Sequence, residues 1–453
     1  MPIRSTNGSR PGRGGAAIAD WLSLQAPGSE GESRPVYVGG ELCVARFTAG
    51  TWTLVAPSAP AQAFAAANAM PPGSALPLLA DYAYIAPGGI WNLGSFSAAA
   101  ALNLAFAPAD GDCEFTDLEF TFWSTSGTGY EVVRLYVGPL SGSAVTGNYA
   151  TGYVPVVTTP LEVPAGTPTA PGFATVSVSV PGSGAFAVVV ELSAGAEASV
   201  WTQQFADVDY NQLLLGREAR MAVLPSSGTF NVLSTASTFA TFPNMSIKVS
   251  GLSKPWATIA VPGDSHAGAY DSGNFNERRG VPWELSELAN TDGVPVTFLP
   301  LGYDGLNTLQ IATRWEALLA GPLSGLRGAI LPAFSVNNFG VGRTAAQAQQ
   351  DYLDMEAALA PQPSIPGIWG VNNAATAPQW ATQRAVWDWH LARRPDSLDD
   401  HLGYTVDGAT GLWIPPYGSG DGAHETVAGQ TLHAQRWWPS VKTWLAGLGV
   451  SAS

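Results

Sequence analysis

From Trp256 onward the chain alternates short apolar runs with longer amphipathic stretches, and this alternation restricts its fold more than any other feature. Trp256 to Val261, Pro295 to Leu301, Gly328 to Phe334 and Ile365 to Val371 have the length and apolar character of strands buried in a parallel sheet. Between and after them lie helical patterns: Trp283 to Ala289, Thr308 to Ala320, Thr344 to Leu359, Thr382 to Leu391 and about Thr426 to Leu445. Strands and helices in alternation predict a parallel sheet covered on both faces. In such sheets ligands bind beyond the carboxyl ends of the strands.

Three short polar motifs fall at or near those ends. Gly263-Asp264-Ser265-His266 follows the first run, Ser335-Val336-Asn337-Asn338 follows the third, and Asp421-Gly422-Ala423-His424 precedes the last helix. Together they contain a nucleophile, an amide donor and an Asp-x-x-His pair. A serine hydroxyl attacks a carbonyl only when an imidazole takes its proton, and the imidazole needs a carboxylate to fix its tautomer. Fixed hydrogen-bond donors must then meet the developing oxyanion. Gly-Asp-Ser alone is common in turns and Asn pairs are common in loops, whereas Asp-x-x-His is more specific here. Their joint order is more specific, because the chain has five histidines and only His424 has an Asp three residues before it. The rival Gly-x-Ser-x-Gly elbow does not occur: Ser33, Ser253 and Ser265 have a Gly two before but Pro35, Pro255 and Ala267 two after.

From about Lys254 to Leu448 these motifs resemble the SGNH, or GDSL-like, hydrolases. The resemblance implies a flavodoxin-like α/β/α fold and esterase, lipase or carbohydrate deacetylase activity. It implies Ser265 as nucleophile, with Asp421 and His424 completing the triad. The oxyanion hole would take the Ser265 N–H, the Asn337 amide and a glycine N–H from Leu301 to Thr308, where Gly305 fits better than Gly302. The chain departs from the family pattern in three places. Ser335 and Asn338 replace the outer residues of Gly-x-Asn-Asp, Pro300 or Leu301 stands where the second motif opens with Asn, and His266 stands where the family name has Leu.

Near the last motif, Trp413 and Tyr417 flank a proline-stiffened segment. They form a wall for a stacked sugar ring, or they pack the loop down; both readings are open. His266 reads as a polar residue lining or leaving the pocket. Trp387, Trp389, Trp437 and Trp438 lie in helical patterns and are expected in the core or at an interface.

Three regions are expected. Residues 1–70 form an attachment or assembly segment with a small β unit, 71–250 a β-sandwich, and 251–453 the hydrolase-like domain. Phe115 to Trp123, Tyr130 to Val137, Ala174 to Val180, Phe186 to Leu192 and Met245 to Val249 read as short strands between turn clusters, which suggests a jelly-roll-like antiparallel sandwich. Such a module either binds glycan or serves as a spacer. Val36 to Val38 and Trp52 to Val55 are strand-like, and Ala56 to Pro77 reads as a linker. Asp207, Asp209, Asn211 and Glu218 mimic a calcium loop, but Gln212 stands where the turn needs glycine. Asp110, Asp112, Glu114 and Asp117 read as a solvated loop or strand start. No metal or cofactor is expected.

A net charge of −15 with no basic patch argues against nucleic acid. No apolar run is long enough to span a bilayer. Met1 to Gly15 lacks the apolar core of a signal peptide. Cys43 and Cys113 are far apart and are expected to be free. These features favour a surface component of a virion or phage-like particle, homo-oligomeric, assembled with other particle proteins and acting on acetyl groups of a bacterial surface polysaccharide. The rival reading is a receptor-binding spike whose SGNH domain is a non-catalytic glycan-binding scaffold. A cytoplasmic lipase or thioesterase is a third, and it leaves the β-rich first half unexplained.

Overall fold

The fold comes from a computed structural model, which describes residues 19–20, 33–38, 41–48, 51–55, 76–85, 94–95, 100–106, 113–139, 153–183, 186–201, 221–223, 240–267, 280–367, 373–394, 397–398, 404–407, 410–418 and 420–452. Four parallel strands form the centre of the C-terminal part: β1 (Ala257–Gly263), β2 (Val296–Gly302), β3 (Ala329–Pro332) and β4 (Ser364–Gly367). Their order is β2-β1-β3-β4. Leu398 adds a single parallel bridge to Gly367, at the place of a fifth strand. This is the doubly wound order of flavodoxin-like folds, with its switch point between β1 and β3. Every residue of β1, β2 and β3 is buried, as the apolar runs require.

Two helical layers cover the sheet. α1 (Val281–Thr291) and α6 (Val427–Gly447) pack Leu285, Trp437 and Val441 against Ile259 and Phe298 on one face. α2 (Thr308–Ala320) and α4 (Ala345–Leu359) pack Trp315, Tyr352 and Met355 against Leu299 and Leu331 on the other. A single turn, α3 (Asn338–Val341), follows β3, and α5 (Ala377–Arg393) lies beside α4. Capping boxes start α2 and α4, with Asn307–Gln310 and Thr344–Gln347 exchanging side-chain and backbone bonds. α5 begins earlier than its apolar pattern suggests. Pro378 sits in the first turn, where no N–H is needed, so it opens the helix instead of breaking it. The fourth apolar run is strand only to Gly367, and residues 368–371 lie outside the described residues.

Two antiparallel sheets face each other in the first half. One orders Gly172–Ser183, Glu114–Ser124, Met245–Ser250 and Tyr82–Ile85. The other orders Val154–Val157, Tyr130–Pro139, Phe186–Leu192, Ala100–Phe106 and Met221–Val223, with Leu161–Val163 also paired to Tyr130–Pro139. Phe120, Phe122 and Ile247 of the first sheet meet Leu135, Val188 and Val190 of the second in one core, which makes a sandwich. Ser33–Val38, Glu41–Thr48 and Thr51–Val55 form a separate meander. Glu114 and Asp117 lie exposed on a strand, while Asp110 and Asp112 and the calcium-like segment lie outside the described residues. Cys113 is a free, buried thiol. Among the described residues no helix is long and apolar enough to cross a membrane.

The sandwich and the α/β part share a core. Trp123 and Tyr84, both from sandwich strands, are 0% and 2% exposed and pack with Leu299, Trp315 and Tyr352. The backbones also meet: Ala80 and Trp256 exchange hydrogen bonds of 2.9 and 2.8 Å, and the Tyr84 N–H donates to the Thr258 hydroxyl at 3.2 Å. Trp123→Ala should therefore lower the stability of the α/β part, although the residue lies on a sandwich strand. A loss of about 3–5 kcal/mol is expected from the truncation of a fully buried aromatic. Urea unfolding followed by probes in each half checks this; a shift confined to the sandwich probe would contradict a shared core.

Candidate active site

The nucleophile motif is a tight turn at the carboxyl end of β1, beside the switch point. Gly263 ends the strand, and a Cβ there would lie 2.5 Å from the Cβ of Ala267, so only glycine lets the turn close. Ser265 is 3% exposed. Its hydroxyl lies 2.8 Å from Nε2 of His424.

His424 and Asp421 come from the loop before α6. Asp421 turns its own loop: one carboxylate oxygen accepts the N–H groups of Ala423 and His424 at 2.9 and 3.0 Å. The other lies 2.6 Å from Nδ1 of His424. A carboxylate accepts only, so Nδ1 carries the hydrogen and Nε2 presents its lone pair to the serine hydroxyl. Burial lowers the imidazole below its ordinary value, and the neighbouring His266 cation lowers it further, against the pull of Asp421. His424 is thus a neutral base at neutral pH.

Asp264, between Gly263 and Ser265, ties the site together. Its carboxylate is buried and accepts the Ser335 hydroxyl at 2.6 Å, the His266 N–H at 3.0 Å and His266 Nδ1 at 3.1 Å. His266 reaches across with Nε2 to the Ala423 carbonyl at 2.8 Å. Both ring nitrogens therefore face acceptors, and only the imidazolium has two N–H groups to give. Burial alone would lower the His266 pKa, but the Asp264 charge and hydrogen bonds outweigh it and push the ring up to about 9. The same pairing holds the Asp264 carboxyl below the ordinary range against its burial. The expectation that His266 merely lines or leaves the pocket is corrected here: it is 6% exposed and bonded at both ends.

The Asn337 amide donates to the Leu306 carbonyl at 3.2 Å, with longer contacts to Ser335 Oγ at 3.3 Å and Asp264 at 3.5 Å. These contacts tie the amide to Asp264, the residue before Ser265. Ser335 receives the Asn337 N–H at 3.2 Å, so the residue in place of a motif glycine anchors this turn. Asn338 is fully buried and accepts the Thr308 N–H at 2.9 Å, which fixes the start of α2. Gly305 stands in the loop after β2 with φ of +74°, a conformation that glycine adopts without strain. Beside it, partial dehydration pushes the Asp304 carboxyl above the ordinary range, against the pull of His424 and the Gly305 N–H, while the Asp264 charge adds to the push.

The structure brings Ser265, Asp421 and His424 into one hydrogen-bonded chain and places Asn337 on the Asp264 network. It does not support Trp413 as a wall for a sugar. That ring is 5% exposed and packs with Phe334, Val386 and Trp387, so it holds the loop down. Tyr417 is half-buried, and its carbonyl accepts the Thr426 N–H before α6. Trp387, Trp437 and Trp438 are core residues, as expected. Sequence reasoning passed over Asp264 and Ser335 as parts of the site. The signal for Asp264 was its place inside the nucleophile motif.

No protein-family sequence model matches the chain, and no curated protein matches it. Solved structures are similar at low identity. They include TesA, with 19% identity over 41% of this chain and 98% of that one and a TM-score of 0.34. A lipase/acylhydrolase from Enterococcus faecalis shows 14% identity, coverage of 43% and 98%, and a TM-score of 0.35. A family 3 carbohydrate esterase from Clostridium thermocellum shows 17% identity, coverage of 43% and 100%, and a TM-score of 0.33.

The Asp264–His266 pair gives the fold a pH signature. His266 is raised on folding, so its contribution is complete below the ordinary histidine value of about 6.5. It declines as pH rises and is gone above about 9. Asp264 is lowered, so its contribution is present above the ordinary carboxyl value and is lost as pH falls through its folded value. In urea unfolding, the stability of the wild type relative to His266→Gln should shrink between pH 6.5 and 9.5. A constant difference across that range would refute the pairing.

Proposed function

We propose that the chain is a serine esterase of the SGNH type. The observation that carries this reading is the continuous hydrogen-bonded chain from Ser265 Oγ through His424 to Asp421, at 2.8 and 2.6 Å. Ser265 Oγ attacks the acyl carbonyl while its proton passes to Nε2 of His424. Asp421 keeps the ring in the required tautomer and steadies the imidazolium. In this reading the oxyanion is met by the Ser265 N–H, by the Gly305 N–H once it leaves the Asp304 carboxyl, and by the Asn337 amide hydrogen that is not given to Leu306. The tetrahedral intermediate collapses, and His424 gives its proton to the leaving alkoxide. Water then attacks the acyl-serine by the same route in reverse.

The finer reading is a deacetylase acting on a cell-surface polysaccharide. The adjoining jelly-roll-like sandwich serves in this reading as the glycan-binding or assembly module, and Tyr417 remains a candidate for sugar contact. The Gly-, Ala- and Thr-rich β modules of low charge suit a homo-oligomeric surface protein of a virion or phage-like particle, assembled with other particle proteins. The scaffold-only alternative drew on the altered third motif. Ser335 is bonded to Asp264 and Asn338 to the start of α2, so both replacements hold the turn in place.

Wild-type protein should hydrolyse p-nitrophenyl acetate faster than longer acyl esters, and Ser265→Ala should abolish turnover without unfolding. Turnover in the mutant near that of wild type would remove Ser265 from the mechanism. Asn337→Ala should reduce kcat by about 10²–10³ if its amide meets the oxyanion. The acid limb of the kcat/KM profile should lie below pH 6.5, because His424 is lowered in the fold. A limb above that value would contradict the lowering of His424 by its burial and by the His266 cation.

A further inference from the structure

His266 follows the nucleophile and makes no contact with its hydroxyl among the described bonds. It is nonetheless the one side chain that links the nucleophile turn to the Asp421–His424 loop through Ala423, among the described residues. Ala423 lies between the two triad residues of that loop. Its carbonyl accepts His266 Nε2 at 2.8 Å, and the other end of the ring is held by Asp264 at 3.1 Å. The His266 and His424 rings lie 5.1 Å apart between centroids, tilted by 32°.

We propose that His266 is a positioning residue for the esterase reaction: its imidazolium clamps the Ala423 carbonyl to the Asp264 carboxylate and so holds His424 in line with Ser265. The proposal rests on the esterase reading above. A neutral ring could donate to only one of the two acceptors and would release one end of the clamp. The clamp also carries a charge. A fixed cation beside His424 disfavours a second imidazolium, so His424 stays unprotonated to lower pH and, once protonated, is a stronger acid toward the leaving alkoxide. His266 itself moves no proton. The groups facing it are Asp264 from its own turn, Ala423 and His424 from the loop, and the Glu425 carboxylate, which also favours the cation. Glu425 is itself held by Nδ1 of His433 at 3.0 Å. Asp304 faces it from the loop after β2.

The test compares wild type, His266→Gln and His266→Leu, with Ser265→Ala as the control for the esterase reading. Glutamine keeps one donor but carries no charge. For p-nitrophenyl acetate, kcat should fall by about ten- to a hundred-fold in either His266 variant, since small displacements of a base cost up to ~10². The acid limb should move up by about one to two pH units, the size expected for removing a unit charge about 5 Å away in a partly screened site. A merely structural histidine would lower the amount of folded enzyme and leave the limb in place. If wild type and Ser265→Ala differ in turnover but the His266 variants keep the wild-type pH profile, the clamp is wrong and the esterase reading stands.

A second measurement does not depend on turnover. In long-range ¹H–¹⁵N spectra of histidine-labelled full-length protein, His266, assigned by its absence from His266→Gln, should show both nitrogens protonated at pH 7.5. His424 should titrate at lower pH in wild type than in His266→Gln. A neutral His266 at pH 7.5, or an unmoved His424, overturns the proposal even if no ester is ever cleaved.

Discussion

The site depends on a buried carboxylate that is never left alone. An isolated charge at the position of Asp264 would cost far more than a fold can supply, and it would protonate instead. Here three donors, from Ser335 and from the ring and backbone of His266, converge on its two oxygens. Ser335 brings the turn after β3, and the His266 ring, from the carboxylate's own turn, reaches on to the loop before α6. The carboxylate therefore sets the distance between the end of β1, the turn after β3 and, through His266, the loop before α6. Ser265 lies next to this hub in sequence, so its hydroxyl inherits the position the hub fixes.

The departures from the family pattern become intelligible in the same terms. A glycine at position 335 would leave one Asp264 oxygen to the distant Asn337 amide; the serine hydroxyl reaches it at 2.6 Å and then receives the Asn337 N–H. Asn338 accepts the first N–H of α2, where the partial positive charge of a helix start favours an oxygen. Thr308 turns its hydroxyl to Asp351 at 2.6 Å, and Arg343 pairs with the same carboxylate. The changed residues thus carry bonds that hold the turn.

The α/β half was legible because its signals are periodic and local. Buried parallel strands are apolar on both faces, helices repeat every three to four residues, and capping residues mark their starts. The chain of Ser265, Asp421 and His424 was legible because Asp421 and His424 stand three residues apart and the order of the motifs resembles a known pattern. The hub was not, because its bonds run between Asp264, Ser335 and Ala423, which only the folded sheet brings together. Trp413 was open in sequence between a ligand wall and a packed loop. An aromatic beside a site motif invites a ligand role, while the packing of Phe334, Val386 and Trp387 around it is invisible in sequence. His266 was misread for a related reason. A histidine after a strand end reads as a polar residue lining or leaving the pocket until both of its acceptors are in view.

The core common to Trp123, Tyr84 and the α/β helices has a consequence for how the two halves act together. Modules joined only by a flexible linker present a captured chain to a catalytic group over a spread of distances, and their effective concentration depends on linker length. Here the strands that carry Trp123 and Tyr84 belong to the sandwich, so the shared core holds that module at a fixed offset and angle to the strand that leads to Ser265.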